Sequence, residues 1–286
     1  MDGSGVMLGR LQSLRSLVEL HLDALLPDPG VHGHRVRAAM RYAVLTPGKR
    51  LRPTIALLTA DHLGCSLERA LPGALALELV HAASLVLDDL PCMDDAAERR
   101  GQPSVHVRFG EDVAVLTGVA LLNEAYDLIG RSHGLSEQVR LGMSGLISRT
   151  VGPSGLIGGQ DKDLLGGDLS ASAASQLHHE KTGVLFLAAV EMGALAADAG
   201  ESAILALRTF ARELGLAFQA LDDLSDAEDV TGGKPSFNMI SIVGSEGLKA
   251  EAKDRLSRAK AALCDGPPPL AAMGGYVDLL LGRRAA

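Results

Sequence analysis

Apolar side chains recur with the spacing of an α-helix along most of this chain, and this periodicity limits the possible folds more than any other feature. No alternation of apolar and polar residues between hairpin turns competes with it. Aromatic residues make up 3% of the chain and Trp is absent, which favours helices packed through Ala and Leu over a β-sandwich. The periodicity predicts helices over residues 11–26, 33–45, 52–63, 67–89, 111–129, 136–151, 173–197, 201–226 and 248–263.

The breaks between these segments are short Gly- and Pro-containing stretches, at residues 27–30, 47–48, 64, 91, 101–103, 158–167, 232–235 and 267–269. None has the length of a domain linker. We therefore expect one all-α domain, a single helical bundle over residues 1–286.

Composition excludes several function classes. A net charge of −8 argues against nucleic acid as a partner. The first 25 residues lack the apolar core of a signal peptide, and the three Cys at unrelated positions fit a reducing cytosol. Glu78 and Glu191 interrupt the longest apolar segments, so we expect a soluble cytoplasmic protein without stable membrane insertion.

Two clusters of aspartates, far apart in sequence, each end an apolar run. In the second cluster, Gln219, Asp222, Asp223 and Asp226 fall within one narrow arc of a helix at 100° per residue. Carboxylates on one helical face repel one another, so this arrangement indicates a site for an oxygen-seeking cation such as Mg²⁺.

The first cluster needs a break in its helix. Asp88 and Asp94 would point apart on a straight helix, since six residues turn the chain through about 600°. Pro91 lies between them and predicts that the helix ends or kinks there, which lets Asp94 swing toward Asp88. Two such clusters suggest one shared metal site.

Mg²⁺ usually completes its coordination shell with water and substrate phosphates, so cations for phosphate should also be present. Basic residues cluster accordingly in residues 47–53, 98–101, 181–183 and 232–234. No Walker-type loop and no dinucleotide-binding glycine motif occurs. The pattern indicates a diphosphate held between metal ions and Lys or Arg side chains.

These motifs resemble those of the trans-isoprenyl diphosphate synthases, also called polyprenyl synthetases. The run from Glu78 to Asp95, followed by residues 99–103, is similar to the first aspartate-rich motif of that family, and Phe218 to Asp226 is similar to the second. Residues 48–53, residues 158–160 with Asp163, and residues 181–183 extend the match in the family's order. The resemblance is strongest to bacterial geranylgeranyl diphosphate synthases.

The resemblance implies an all-α bundle of the isoprenoid synthase type with a central apolar cavity, acting as a homodimer with Mg²⁺ as cofactor. In the implied reaction, an allylic diphosphate ionises and its cation adds to isopentenyl diphosphate, with the charge developing on pyrophosphate taken up by Mg²⁺. The metal ligands would be Asp88, Asp94, Asp222 and Asp226, supported by Asp89 and Asp223.

The same resemblance assigns the substrate contacts. Arg99, Lys181 and Lys234 would grip the allylic diphosphate, while Thr182 and Gln219 would face the carbocation. The diphosphate of isopentenyl diphosphate would be held by Lys49, Arg52, His81 and Arg100.

Product length in such enzymes follows the depth of the cavity behind the first aspartate motif. Ala83 and Ser84, about one helical turn before Asp88, are small. Farnesyl-type relatives place a bulky aromatic residue near there, so the resemblance implies a C20 product, geranylgeranyl diphosphate.

Other functions stay open at this stage. One is a farnesyl diphosphate synthase, and another is a class I terpene cyclase, although the second Asp-Asp-x-x-Asp motif argues against a cyclase. A third is a weakly active regulatory partner subunit of another prenyl synthase. The intact aspartates argue against this last reading, but the loop after Asp226 keeps it open, because it offers only Lys234 where many relatives carry two Lys.

Overall fold

The computed structural model describes residues 3–30, 34–165, 183–228 and 240–281, with side chains over 5–30, 34–165, 183–225 and 244–281. The helices in chain order are α1 (Gly3–Leu25), α2 (Arg35–Leu45), α3 (Leu51–His62), α4 (Leu67–Asp88), α5 (Val105–Phe109), α6 (Glu111–Gly130), α7 (Glu137–Val151), α8 (Leu156–Leu165), α9 (Val184–Ala196), α10 (Glu201–Glu228), α11 (Ile240–Cys264) and α12 (Pro268–Leu281). A hairpin of β1 (Glu98–Arg99) and β2 (Gln102–Pro103) lies between α4 and α5.

Three apolar helices form the centre of the bundle. Helix α9 packs against α3, α4 and α10, and α3 also packs against α4. The side chains of α3, α4 and α9 are buried over most of their length, as expected for helices that are apolar on every face. Gly193 of α9 permits close approach to α3, because a Cβ there would collide with the Ala56 carbonyl oxygen.

A smaller second core supports the C-terminal end of α4. Val86 and Leu90 contribute from that end, Ala39 comes from α2, and Val105 precedes α6, which adds Val113. This core fixes the positions of α2, the end of α4 and the chain after the hairpin relative to one another. The first acid cluster is therefore supported by packed apolar side chains.

The all-α prediction is confirmed, but several boundaries were wrong. The first helix begins at Gly3, eight residues before the predicted start at residue 11. The helix predicted from residue 248 belongs to α11, which begins at Ile240 but is interrupted by the non-helical Gly244 with φ of 71°. Of the segment predicted over 173–197, the described part forms Val184–Ala196, and residues 166–182 lie outside the described ranges.

Two predicted breaks are partly helical. Helix α8 runs through most of the break expected at residues 158–167; at Gly158 a side chain would collide with the Pro153 carbonyl, so this glycine permits a tightly wound backbone. The prolines at 267–269 begin α12, since proline is well tolerated in the first turn of a helix. The short helix α5 and the two-residue strands carry too little periodicity to be predicted.

Helices α4 and α6 reach the length and apolar composition that a membrane crossing needs. The sequence expectation took Glu78 as an interruption of α4, and by this criterion that expectation was wrong. The apolar window of α4 is 67% buried inside the bundle, as in the core helix of a globular protein, whereas that of α6 is 39% buried. Glu78 is tolerated in α4 because it is paired with a buried cation.

Candidate active site

The first acid cluster lies in a turn where the chain folds back on the end of α4. Helix α4 ends at Asp88, three residues before Pro91, and the backbone N–H of Asp94 donates to the Asp88 carbonyl oxygen at 2.9 Å. Asp95 adopts a left-handed conformation with φ of 54°. The predicted end of the helix near Pro91 is thus confirmed, and the turn returns the Asp94 backbone to Asp88.

Asp89 is held by the hairpin that follows this turn. Its carboxylate is 2% exposed and accepts hydrogen bonds from Nε of Arg99 at 2.9 Å and from Nη2 of the same side chain. Burial lowers the pKa of Arg99, but the hydrogen bond and charge of Asp89, with Asp88 and Asp94, outweigh burial and raise it. In this structure Arg99 is therefore fixed on the acid cluster.

The hairpin turn orients two successive arginines differently. Arg100 and Gly101 both have positive φ, 56° and 72°, as a two-residue hairpin turn of this kind requires. The Arg100 guanidinium lies against Gly48, where a Cβ would be only 2.5 Å from Nη1. Gly48 therefore makes room for Arg100 beside the loop between α2 and α3.

The second acid cluster lies near the C-terminal end of α10. Asp223 is 5% exposed and accepts a hydrogen bond from Nε2 of Gln219 at 2.9 Å, while Asp222 is half-buried. Because a carboxylate only accepts, the Gln219 amide nitrogen is fixed on Asp223. This orientation turns the Gln219 oxygen away from Asp223.

The cations Lys49 and Arg52, at the start of α3, lie over aromatic rings of α9 and α10. The Lys49 Nζ is 5.9 Å from the centroid of the Phe218 ring, and the Arg52 guanidinium carbon is 5.2 Å from that of Phe186. Burial lowers the pKa of Arg52 to about 10. The negative charges of Glu78 and Asp222 oppose this change, whereas the positive charge of Arg100 adds to it. The effect of Asp222 places the second acid cluster within electrostatic range of Arg52.

His81 joins α4 to these cations as a neutral side chain. Arg52 Nη1 donates to His81 Nε2 at 3.1 Å, and since guanidinium has no acceptor, the imidazole proton must reside on Nδ1. Burial lowers the pKa of His81 well below 6.5, and the charges of Arg52, Arg100, Arg99 and Arg50 lower it further. Nδ1 is buried without a hydrogen-bond partner within the described structure, so this donor is left for a bound oxygen.

A cleft beside α4 brings four of the predicted residues together, whereas Lys49, Arg52 and the described side chains of the second acid cluster do not line it. It is lined by residues of α2, α4 and the hairpin, among them His81, Asp89, Arg99 and Arg100. The model of the polyprenyl synthetase family matches residues 34–240, a range that contains both acid clusters and the cleft. The chain belongs to the polyprenyl synthetase family.

Named relatives of this family match over most of the chain. A geranylgeranyl diphosphate synthase of Pantoea ananas is 41% identical over 261 residues, covering 87% of this chain and 85% of its own length. A second geranylgeranyl diphosphate synthase, from Pseudescherichia vulneris, is 36% identical over 287 residues and covers 96% of this chain and 92% of its own length.

Solved structures agree with the fold. A geranyltransferase of Legionella pneumophila superimposes with a TM-score of 0.89 at 29% identity, covering 99% of both chains. An FPP/GFPP synthase of Zymomonas mobilis superimposes with a TM-score of 0.87 at 30% identity, covering 96% of this chain and 99% of its own. The predicted isoprenoid synthase fold is therefore confirmed.

Several predicted site residues of this polyprenyl synthetase lie outside the described structure. They are Lys181, Thr182, Lys234, the side chain of Asp226 and residues 229–239 of the predicted loop, whose first two residues, 227 and 228, instead end α10. The proposed chain-length residues are described: Ala83 is fully buried in the main core, and Ser84 is half-buried, with its hydroxyl donating to the His81 carbonyl oxygen at 3.0 Å.

The structure adds residues to the site that the motifs did not single out. Arg50 and Glu78 form a buried ion pair beside Arg52 and His81. Gln160 already belongs to the family match at residues 158–160; its amide is buried, and neither its nitrogen nor its oxygen has a hydrogen-bond partner in the described structure. An internal carboxylate in an apolar run is the signal that could have found Glu78, because buried charges are rare without a role or partner.

Magnesium is implied by the family, and the acid clusters have the donor chemistry for it. Asp89 and Asp223 are buried and engaged by protein donors, whereas Asp88 and Asp222 are half-buried and Asp94 is exposed. These side chains offer carboxylate oxygens, which suit Mg²⁺. In the described part of the chain no three His, Cys, Asp or Glu side chains form a metal group, so water and substrate oxygens would complete the coordination.

We predict that His81 remains neutral, with its proton on Nδ1, from pH 6 to pH 8. Its native pKa lies below the unfolded value of 6.5, so the stability that it contributes is complete above pH 6.5 and declines as the pH falls below that value. Imidazole ¹⁵N shifts, with the resonance assigned through a His81→Gln variant, report the tautomer directly. Titration of this ring near pH 6.5 would contradict the assignment.

Proposed function

We propose that this chain is a Mg²⁺-dependent prenyltransferase that condenses isopentenyl diphosphate with dimethylallyl, geranyl or farnesyl diphosphate to give geranylgeranyl diphosphate and pyrophosphate. The main observation behind this proposal is that positive and negative charges are separated along α4. The neutral His81 faces a group of arginines, and Asp88, seven residues later, is the first residue of the acid cluster. Such a site suits two diphosphates, one bound by cations and one beside carboxylates. The names of the relatives from Pantoea ananas and Pseudescherichia vulneris support the C20 product.

In this proposal the cations bind isopentenyl diphosphate. Arg52 and Arg100 offer planar guanidinium groups for phosphate oxygens, Lys49 adds a further positive charge next to the start of α3, and Nδ1 of His81 donates the remaining hydrogen bond. The low pKa of His81 keeps the ring neutral, so it contributes a directed donor and adds no charge to a group of arginines that already repel one another.

The allylic diphosphate would lie between the acid clusters. Asp88, Asp94, Asp222 and Asp226 would hold Mg²⁺, which neutralises negative charge on the leaving pyrophosphate. Gln219 would present its amide oxygen to the allylic cation, since its nitrogen is committed to Asp223. Lys181, Thr182 and Lys234 are proposed to complete this side, as the family resemblance implies, and we propose that residues 1–286 form one catalytic domain.

The proposed activity is tested by product analysis. The purified chain is incubated with Mg²⁺, isopentenyl diphosphate and each of the three allylic diphosphates, and products are identified by mass spectrometry. We expect a C20 diphosphate, and we expect that EDTA, or Asp88→Asn with Asp222→Asn, lowers turnover at least about 100-fold because diphosphate departure loses its electrostatic support. Inactivity of the wild-type chain with every starter would overturn the proposal and favour the regulatory-subunit alternative.

Product length is proposed to depend on Ala83. The position is 0% exposed, so a phenyl ring there must occupy space inside the bundle behind the first acid cluster. Ala83→Phe or Ala83→Tyr should shift the main product from C20 to C15, whereas the matched Ala83→Ser variant should retain C20. An unchanged product profile in a folded Ala83→Phe variant would refute the cavity-floor argument. C15 from the wild type would instead favour farnesyl diphosphate synthase.

We further propose that the chain forms a homodimer through α6. Val115, Val119 and Tyr126 are 45%, 60% and 38% exposed, and their four- and seven-residue spacing places them on one face of this helix. An apolar stripe of this kind is typical of a helix that packs against another subunit. Family resemblance supports a second copy of this chain as the partner.

Light scattering after size-exclusion chromatography tests the dimer. Val119→Glu should give a monomer, because it introduces a charge into the contact. Leu141→Glu on α7, whose native side chain is 74% exposed and lies outside the stripe, should leave the dimer intact. A monomeric wild type, or a dimeric Val119→Glu variant, would contradict this interface.

A further inference from the structure

Arg50, between two residues assigned to diphosphate binding, has an unusual backbone. It immediately precedes α3 and has φ of 50° and ψ of 34°, the left-handed region that residues with a Cβ rarely adopt. Its side chain is 3% exposed. Such a conformation persists only where surrounding contacts determine it strongly.

Those contacts come from two other helices. Arg50 Nη2 donates to the carbonyl oxygens of Val44 at 2.8 Å and Thr46 at 3.1 Å, at the C-terminal end of α2, where a cation is electrostatically favoured. Nη1 donates to Oε1 of Glu78 on α4 at 2.8 Å, and both side chains are nearly inaccessible to solvent. One guanidinium thus joins the end of α2, the start of α3 and the middle of α4.

The loop fixed in this way determines where three other cations lie. Residues 46–50 include Lys49 and also Gly48, which accommodates the Arg100 guanidinium. Arg52 follows in the first turn of α3 and donates to His81. A shift of this loop would therefore move Lys49 and Arg52 relative to Arg100.

Glu78 has a second role, through its charge. It lies three residues before His81 on α4. Burial lowers the pKa of both Arg52 and Arg100, and the Glu78 carboxylate opposes this change, whereas neighbouring arginines add to it. The carboxylate itself is engaged by Arg50 and so does not present itself to an incoming diphosphate as a bare anion. The Glu78 carboxylate therefore reduces the repulsion among the arginines while it stays paired with Arg50.

We infer that the buried Glu78–Arg50 pair is a positioning unit, which holds Lys49, Arg52 and Arg100 in the geometry that binds the diphosphate of isopentenyl diphosphate. This inference rests on the proposed function for the identity of the ligand. Neither residue contacts the substrate; both act through the cations around them.

The test compares Michaelis constants for the two substrates. Glu78→Gln keeps the shape of the side chain and removes its charge, and it should raise KM for isopentenyl diphosphate about 10- to 100-fold, since small displacements of binding groups have effects of that order. KM for the allylic diphosphate should change less than about two-fold, because its site lies at the acid clusters. Glu78→Asp and Arg50→Lys, which keep the charges, should give intermediate values.

A double variant separates positioning from stability. Glu78→Gln alone leaves Arg50 buried without its partner and can impair folding, whereas Arg50→Gln with Glu78→Gln leaves no unpaired buried charge. The double variant should fold and still show the raised KM for isopentenyl diphosphate. A folded double variant with wild-type KM would overturn the inference.

Glu191→Gln is the matched control. Glu191 of α9 is also largely buried and is paired with Arg208 of α10, away from the cations of the cleft. This control should lower thermal stability without changing either KM selectively. If Glu78→Gln behaves like Glu191→Gln, the Glu78–Arg50 pair is structural only and the inference fails.

Isothermal titration calorimetry with inorganic diphosphate, without metal, distinguishes failure of the positioning inference from failure of the proposed function. If the wild-type chain elongates no allylic substrate, the proposed function is wrong, yet weaker diphosphate binding by Glu78→Gln than by wild type would still support positioning. Equal binding by wild type and variant would refute it whatever the activity.

Discussion

The structure depends on keeping groups of like charge close together within an apolar bundle. The arginines around His81 repel one another, and so do the aspartates at the ends of α4 and α10. Two of these groups are stabilised by opposite charge from a neighbouring element: Glu78 pairs with Arg50 among the arginines, and Arg99 binds Asp89. The backbone near these charges is strained: Arg50, Asp95 and Arg100 all adopt left-handed conformations beside the site. Strained residues of this kind concentrate at functional sites, where surrounding contacts hold them.

Helix α4 organises the two charge groups. Its apolar surface is buried by α3, α6 and α9, so its C-terminal end is fixed in position. Glu78 and His81 lie on the cation side, and Asp88 and Asp89 lie at the end. The smaller second core, around Val86 and Leu90, packs against that end and holds it in place. Rigid packing of an inner helix thus sets the distance between the cations around His81 and the turn that carries the first acid cluster.

Much of this arrangement could be predicted from the sequence, for reasons that differ between residues. The buried helices were predictable because their apolar residues recur at helical spacing, and the turn after Asp88 followed from the constraint of Pro91. The helix over Gly158 and the hairpin at residues 98–103 were not predictable, because close backbone contacts and short strands leave no periodic signal. The pairing of Arg50 with Glu78 joins residues 28 positions apart, and no local pattern indicates it.

The central claim is that both acid clusters bind the same diphosphate through shared metal ions. The most direct test is a crystal structure of the chain with Mn²⁺ and inorganic diphosphate, in which anomalous scattering locates the metal. The account predicts Mn²⁺ coordinated by Asp88 or Asp94 on one side and by Asp222 on the other, with diphosphate oxygens between them. Metal bound by one cluster alone, or coordinated by Asp89 and Asp223 after loss of their contacts with Arg99 and Gln219, would contradict it.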